Sequence, residues 1–203
     1  MPETKTRCNW VAVSPLMARY HDEEWGVPLH DDRRHFEFLI LDAFQAGLSW
    51  ATILNKREQF RRAFAGFDPV KVARFTRRSV ERLMQDAGIV RNRAKIEASI
   101  GNARAFLDVQ DRHDSFDRFI WRFVDGTPRQ NRWKSWKRAP ATSAQSDRMS
   151  RELKELGFRF VGSTICYAYM QAAGLVNDHA VTCFRHEEVR RMAEEADWAD
   201  EAD

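Results

Sequence analysis

The chain has 203 residues, 43% of them hydrophobic, 12% aromatic and 31% charged, with a formal net charge of +3. It is too apolar for a disordered chain, too poor in Gly and Pro for a collagen or a linker, and long enough to bury a core without staples. No apolar run approaches the ~20 residues of a membrane span, the N-terminus has no apolar secretory core, and three cysteines favour a reducing, cytoplasmic setting over a disulfide framework.

In chain order the periodicity is helical almost throughout. Phe36, Leu39, Ile40, Ala43 and Phe44 share one helix face, with Asp31 or Asp32 available as N-cap. Gly47 breaks that helix, and Ser49 caps the next, whose stripe is Trp50, Ile53, Leu54, Phe60 and Phe64. Asp68-Pro69 is a cap followed by a first-turn proline. Val80, Leu83, Met84 and Ala87 predict a short amphipathic helix that Gly88 terminates. Asn92 opens another through Ile96, Ile100, Ala103 and Leu107, and Ser115 precedes Phe116, Phe119, Ile120 and Phe123. Gly126-Thr-Pro128 closes that helix. Residues 126–145, polar with two Trp and several Lys/Arg, read as a long surface loop. Ser146 introduces a helix closed by Gly157; Phe158–Val161 is strand-like; Thr164 introduces a helix closed by Gly174. The expectation is an all-α fold of about eight short helices. A single domain would span 1–186, with an acidic tail over 187–203, frayed or disordered.

The net charge conceals an asymmetry. Residues 187–203 carry eight acids (Glu187, Glu188, Glu194, Glu195, Asp197, Asp200, Glu201, Asp203) against Arg190 and Arg191, a net −6. The body over 1–186 therefore holds 31 basic and 22 acidic residues, a net +9. Much of the excess lies in 56–104, where 13 Lys/Arg face 5 acids. A solvated helix surface accounts for such charge, and so does a polyanionic partner such as nucleic acid.

Three constellations could carry chemistry. Around Leu83–Val90, two helices joined by a Gly-containing turn, with Arg91, Arg93 and Lys95 just beyond, could offer backbone N–H groups to a phosphate. The spacing alone fits an ordinary helix corner with a C-cap glycine; the basic charge around it brings in the phosphate reading. Cys8, His21, His179 and Cys183 are a donor set for zinc, and residues 179 and 183 fall on one side of a helical turn. Buried thiols and unrelated histidines fit that spacing as well. Trp10, Tyr20, Trp25 and Trp50 are either core or a stacking surface for a nucleobase, and Asp42 interrupts the apolar run Phe36–Phe44, where a carboxylate needs donors or a ligand. GxSxG, HExxH, P-loop and dinucleotide motifs are absent, and Cys166 reads as a buried, inert thiol.

Several long stretches, in order, resemble the DNA-3-methyladenine glycosylase I family of helix-hairpin-helix base-excision enzymes. They are Cys8-Asn-Trp-Val11, Tyr20-His-Asp-Glu-Glu-Trp-Gly-Val-Pro28, Phe44-Gln-Ala-Gly-Leu-Ser-Trp50, Phe67-Asp-Pro-Val-Lys-Val-Ala73, Gln85-Asp-Ala-Gly-Ile-Val90, Gly101-Asn-Ala-Arg-Ala105, Gly157-Phe-Arg-Phe-Val-Gly162 and Gly174-Leu-Val-Asn-Asp-His179.

The resemblance implies an all-α fold with a substrate pocket between helical lobes, and one structural zinc (Zn2+) held by Cys8, His21, His179 and Cys183 that joins the chain ends. It places Tyr20 and Trp50 about the base, with Trp10 and Trp25 nearby. A family Glu that hydrogen-bonds the base matches Asp42, which keeps the charge but is one methylene, about 1.5 Å, shorter, so a backbone shift or a water must make up the reach. Gln45, Gly47 and Leu48 look like the loop that enters the duplex. Gly88 and Val90, with Arg91 and Arg93 beyond, look like the phosphate-gripping hairpin. The implied activity is hydrolytic release of 3-methyladenine from double-stranded alkylated DNA. No lysine stands at an evident nucleophile position in the matched motifs, so no lyase step follows, and a monomer is expected. The alternative is a non-catalytic DNA-binding or lesion-sensing protein.

Overall fold

The computed structural model describes residues 5–200, with backbone alone for 12–13 and 195–200. Its helices are α1 (Pro15–Glu23), α2 (Asp32–Gln45), α3 (Trp50–Ala63), α4 (Pro69–Ala73), α5 (Arg77–Gln85), α6 (Arg93–His113), α7 (Phe116–Trp121), α8 (Ala144–Glu155), α9 (Ser163–Ala172) and α10 (Phe184–Asp200). Two short strands, β1 (Arg129–Gln130) and β2 (Val176–Asn177), pair in parallel with Arg129 opposite Val176. No helix among the described residues is long and apolar enough to cross a membrane.

Most helix starts follow from side-chain caps. Asp31, Ser49, Asp68, Asn92 and Ser115 each accept a backbone N–H from the residue three positions on, an arrangement that contributes about 1 kcal/mol per helix. Ser143, not Ser146, caps α8; Ser146 sits at the third helical position and returns the bond in a capping box. Thr164 lies inside α9, which starts at Ser163 behind Gly162.

Other expectations also need correction. Helix α5 stops at Gln85, so Gly88 lies in the connection beyond it and is not its terminator. Residues 158–161 form no strand, because Phe160 takes a left-handed backbone (φ 57°) that interrupts an extended run. The loop 126–145 contains β1 and a 3-10 turn, Trp136–Arg138. Residues 179–183 are a turn, closed by Cys183 N–H to Ala180 O (2.7 Å), and not a helix. Helix α10 runs unbroken through residue 187 and buries Val189 and Ala193, where fraying or disorder was expected. Its acids pair locally: Glu187 with Arg190 and Arg191, Glu188 with Arg185, and Glu194 with Arg190. Glu201, Asp203 and the side chains of Glu195, Asp197 and Asp200 lie outside the described residues.

Helix α2 is the centre of the molecule. Residues 35–44 are all buried, and the helix packs against α3, α6, α7 and α9. Stacked and edge-on phenylalanines fill the space around it: Phe36 on Phe106 (5.2 Å between centroids), Phe106 on Phe116 (4.2 Å) and Phe44 on Phe60 (4.8 Å). The stretch 35–44 carries two buried carboxylates: Glu37 is paired with Arg57 and Arg61, whereas Asp42 Oδ2 has no partner.

The segment after α1 docks on the end of α9. Gly26 N–H donates to Gln171 O (3.0 Å) and Leu29 N–H to Ala173 O (3.1 Å). Gly174 makes this possible: its φ is +75°, and a Cβ there would stand 2.4 Å from the Val27 carbonyl. Gly174→Ala is expected to combine left-handed strain with a backbone clash. The expected destabilisation is about 3 kcal/mol, a fall in Tm of about 6–12 °C for a chain of this size. A thermal melt within about 2 °C of wild type would contradict the close approach.

Candidate active site and metal centre

A cavity of about 300 Å³ opens where α1, α2, α3 and α9 meet the 136–139 segment. Tyr20 from α1, Asp42 and Gln45 from the last turn of α2, and Trp50 from the start of α3 line it, together with Trp10 and Trp25. Tyr20 lies 5.4 Å from Trp50 between ring centroids, and Trp10 lies 5.1 Å from Trp25 and 6.4 Å from Tyr20. These six residues, all singled out from the sequence, thus converge on one aromatic-walled cavity.

Two of the lining residues carry buried polar atoms with no hydrogen-bond partner: Asp42 Oδ2 and Trp50 Nε1. Asp42 is 3% exposed, and burial pushes its carboxyl well above the usual carboxylate range. Burial, and then the Asp42 charge, push the Tyr20 hydroxyl up as well. An unpartnered buried carboxylate is expensive, so Asp42 is chemically poised for a cation or a hydrogen-bonding ligand in the cavity.

Sequence reasoning missed Met17, Trp136 and Gln171. Met17, Trp136, Gln171 and Asp178 also line the cavity. Asp178, adjacent to His179, is buried and accepts four hydrogen bonds: from Asn131 Nδ2 and Trp133 Nε1 at Oδ1, both 2.7 Å, and from Tyr167 OH (2.8 Å) and Gln171 Nε2 (2.7 Å) at Oδ2. Its lone pairs are occupied, so it ties the 131–133 segment to α9.

Beyond Asp42 the chain leaves α2 through a turn that projects outward. Gly47 has φ +82°, Leu48 is 39% exposed, and Gln45 Nε2 donates to Leu48 O (3.2 Å). The buried Lys95 ammonium, its pKa lowered by burial, holds this turn by donating to Phe44 O (2.9 Å) and Ala46 O (2.7 Å). Lys95 lies in the first turn of α6, just past the α5–α6 connection that contains Gly88 and Val90. In that connection Gly88 N–H donates to the Asp86 carboxylate (2.7 Å), and Lys56 of α3 donates to Ala87 O (3.0 Å). A Cβ at Gly88 would lie 3.0 Å from Gln59, which accounts for the glycine. Arg91 and Arg93 are exposed, and Arg93 makes a bidentate pair with Glu81. The projecting turn and the helical corner are therefore joined through one lysine, while the corner itself does not line the cavity.

Cys8, His21, His179 and Cys183 come together from both ends of the chain, all buried, with ligand atoms within 4.8 Å of one another. The sulfur–nitrogen separations are 3.7 Å (Cys8 to His179 Nδ1), 3.6 Å (Cys183 to His179 Nδ1) and 3.4 Å (Cys183 to His21 Nε2). A tetrahedral ion at about 2.3 Å from sulfur and about 2.0 Å from nitrogen requires roughly 3.5 Å between them. The outer ring atoms are also tied down: His21 Nδ1 lies 2.8 Å from Asp22 Oδ1, and His179 Nε2 lies 3.0 Å from Trp25 O. Such partners fix the tautomer that points the other nitrogen inward. These four residues form a buried Cys2His2 cluster able to hold a metal ion. It adjoins the cavity through Trp25, whose ring lies 4.6 Å from His179 between centroids.

A profile of the methyladenine glycosylase family matches residues 10–186. The DNA-3-methyladenine glycosylase 1 of Escherichia coli is 51% identical over 177 residues, covering 87% of this chain and 95% of that one. A crystal structure of 3-methyladenine DNA glycosylase I superposes with a TM-score of 0.86 at 50% identity, covering 88% of this chain and 98% of its own. A Staphylococcus aureus structure that describes 3-methyladenine recognition by the same enzyme gives 0.85 at 35% identity, covering 88% and 95%. Matched along most of its length in sequence and in fold, the chain belongs to the methyladenine glycosylase family.

Proposed function

We propose that this chain is a DNA repair glycosylase that extrudes 3-methyladenine from alkylated duplex DNA and hydrolyses its N-glycosidic bond. The observation that carries the reading is the unpartnered Asp42 carboxyl in an aromatic cavity. A base methylated at N3 within DNA is cationic. It stacks on Tyr20 or Trp50, gains from cation–π attraction and supplies the charge partner that Asp42 lacks. Trp10 and Trp25 complete the box. The positive charge also makes the base a good leaving group, so the protein mainly supplies extrusion, recognition and placement of water. Water adds at the sugar C1′ and gives up a proton to solvent, the cationic base leaves with the bonding pair as neutral 3-methyladenine, and an abasic site remains. No lysine among the cavity-lining residues offers a nucleophile for strand cleavage, which supports a monofunctional enzyme.

Extrusion costs a few kcal/mol and is cheapest at a lesion. The Gln45–Leu48 turn would enter the duplex, with Leu48 filling the vacated stack. The α5–α6 connection, with Gly88, Val90, Arg91 and Arg93, would grip the backbone as a helix-hairpin-helix. The donor set of the Cys2His2 cluster suits zinc, which would bind the chain ends together and hold Trp25 at the cavity wall. We take the working unit to be a cytoplasmic monomer.

Incubation with methylated duplex DNA, with the released bases identified by chromatography, tests the reading. Free 3-methyladenine and intact abasic strands are expected. Retention of alkylated DNA without base release would instead mark a lesion-binding protein.

A further inference from the structure

We infer that the basic segment Arg129–Arg138 is a second DNA-backbone contact, gripping the phosphates of the strand that carries the extruded nucleotide. This inference rests on the glycosylase reading above and adds to it a surface that the reading leaves unused.

Between Gly126 and Ser146 the chain has five Lys/Arg and no acid. Arg129, Arg132, Lys134, Lys137 and Arg138 are all exposed, and none makes an ion pair or a side-chain hydrogen bond among the described residues. Acids hold other surface cations, Arg93 by Glu81 and Arg190 by Glu187 and Glu194, whereas here five cations fall within ten residues with no acid among them. Unpaired like charges on one short segment repel one another, and a phosphodiester chain relieves that repulsion.

The segment is pinned rather than loose. Arg129 N–H donates to Leu175 O (3.0 Å), Asn131 N–H to Asn177 O (3.2 Å), and Val181 N–H to Trp133 O (2.9 Å). Asn131 and Trp133 both donate to Asp178, a residue of the cavity wall. The charges are thereby held at the cavity mouth, where Trp136 lines the opening and remains 37% exposed. Lys134, Lys137 and Arg138 lie within two residues of Trp136, at most about 7 Å along the chain. A nucleotide whose base enters the cavity brings its own flanking phosphates to this mouth. Contacts of this kind position the strand and read no sequence.

The test compares wild type with R132A/K134A/K137A/R138A, leaving Asn131, Trp133 and Trp136 in place. Binding to a duplex containing a tetrahydrofuran abasic analogue is measured from 50 to 200 mM salt. Each phosphate that is no longer neutralised lowers the slope of log K against log salt by about 0.9. The variant is expected to lose about 2–4 from that slope and at least about tenfold in affinity at low salt. Its melting temperature and its binding of free 3-methyladenine should match wild type, and K134R/K137R should retain the slope. An unchanged slope in the alanine variant, with wild type active on methylated DNA, overturns this inference alone. A wild type that neither binds the duplex nor releases base overturns the glycosylase reading and this inference with it.

Discussion

His179→Ala is expected to purify without bound metal and to melt about 6–20 °C below wild type, the shift that a loss of roughly 3–5 kcal/mol produces in a chain of this size. Cys8 enters the cluster from just before α1 and Cys183 from just before α10, 175 residues later. In an unfolded chain these donors are far apart, so ion binding is coupled to bringing the ends together. Few other bonds do that work: Phe184 N–H reaches Thr6 O (3.0 Å), and Ala180 N–H approaches Cys8 Sγ (3.4 Å). Elemental analysis should find one zinc per wild-type chain. Cobalt substitution should give sulfur-to-metal charge-transfer bands that the variant lacks. A wild type free of metal when purified without chelator would remove the ion from the account. Because His179 also reaches Trp25 O, loss of the ion should loosen the cavity wall, and binding of the free base should weaken in parallel.

How much of this was legible in the sequence divides along the range of the interactions. Asp31, Ser49, Asp68, Asn92 and Ser115 announce their helices because a cap bond spans three residues. Ser143 and Ser146 mislead because a capping box uses both, and the stripe of apolar residues beyond looks the same from either. Phe158–Val161 alternates like a strand, and nothing in its composition signals the left-handed turn at Phe160. Asp42 stands out because a carboxylate in an apolar run violates local expectation, and such violations gather at functional sites. The metal set and the aromatic box rested on family resemblance, since the spacing alone was open to two readings. Trp136 and the donors to Asp178 left no trace, because a two-residue parallel pairing has no periodicity and joins positions 47 residues apart. Cys166 conforms to its reading: it is buried against Val161 O, and its thiol is pushed up to about 12.

Asp42→Asn is expected to lower kcat/KM for 3-methyladenine release by about 10- to 150-fold, the equivalent of a charged hydrogen bond of about 1.5–3 kcal/mol. Asparagine keeps the shape and one acceptor oxygen, removes the charge and turns the other oxygen into an NH2 donor, so the loss measures the charge and the second acceptor that the cationic base engages. The pH dependence carries a second signature. Burial raises the Asp42 pKa in the free protein, and only the carboxylate attracts the base. The rate constant kcat/KM should therefore fall as pH drops through that raised pKa, at values above the ordinary ~3.9, and the asparagine variant should lose this limb. Stability moves the opposite way. A carboxyl whose folded pKa exceeds its unfolded pKa stabilises the fold fully only below the unfolded value, and that contribution is lost as pH rises through the folded one. Asparagine carries no such penalty, so at neutral pH the variant should melt at or above the wild-type temperature. Loss of activity together with a lower Tm and an unchanged pH profile would make Asp42 a structural residue. Loss of activity with retained stability identifies a group kept at an energetic disadvantage for the sake of its ligand.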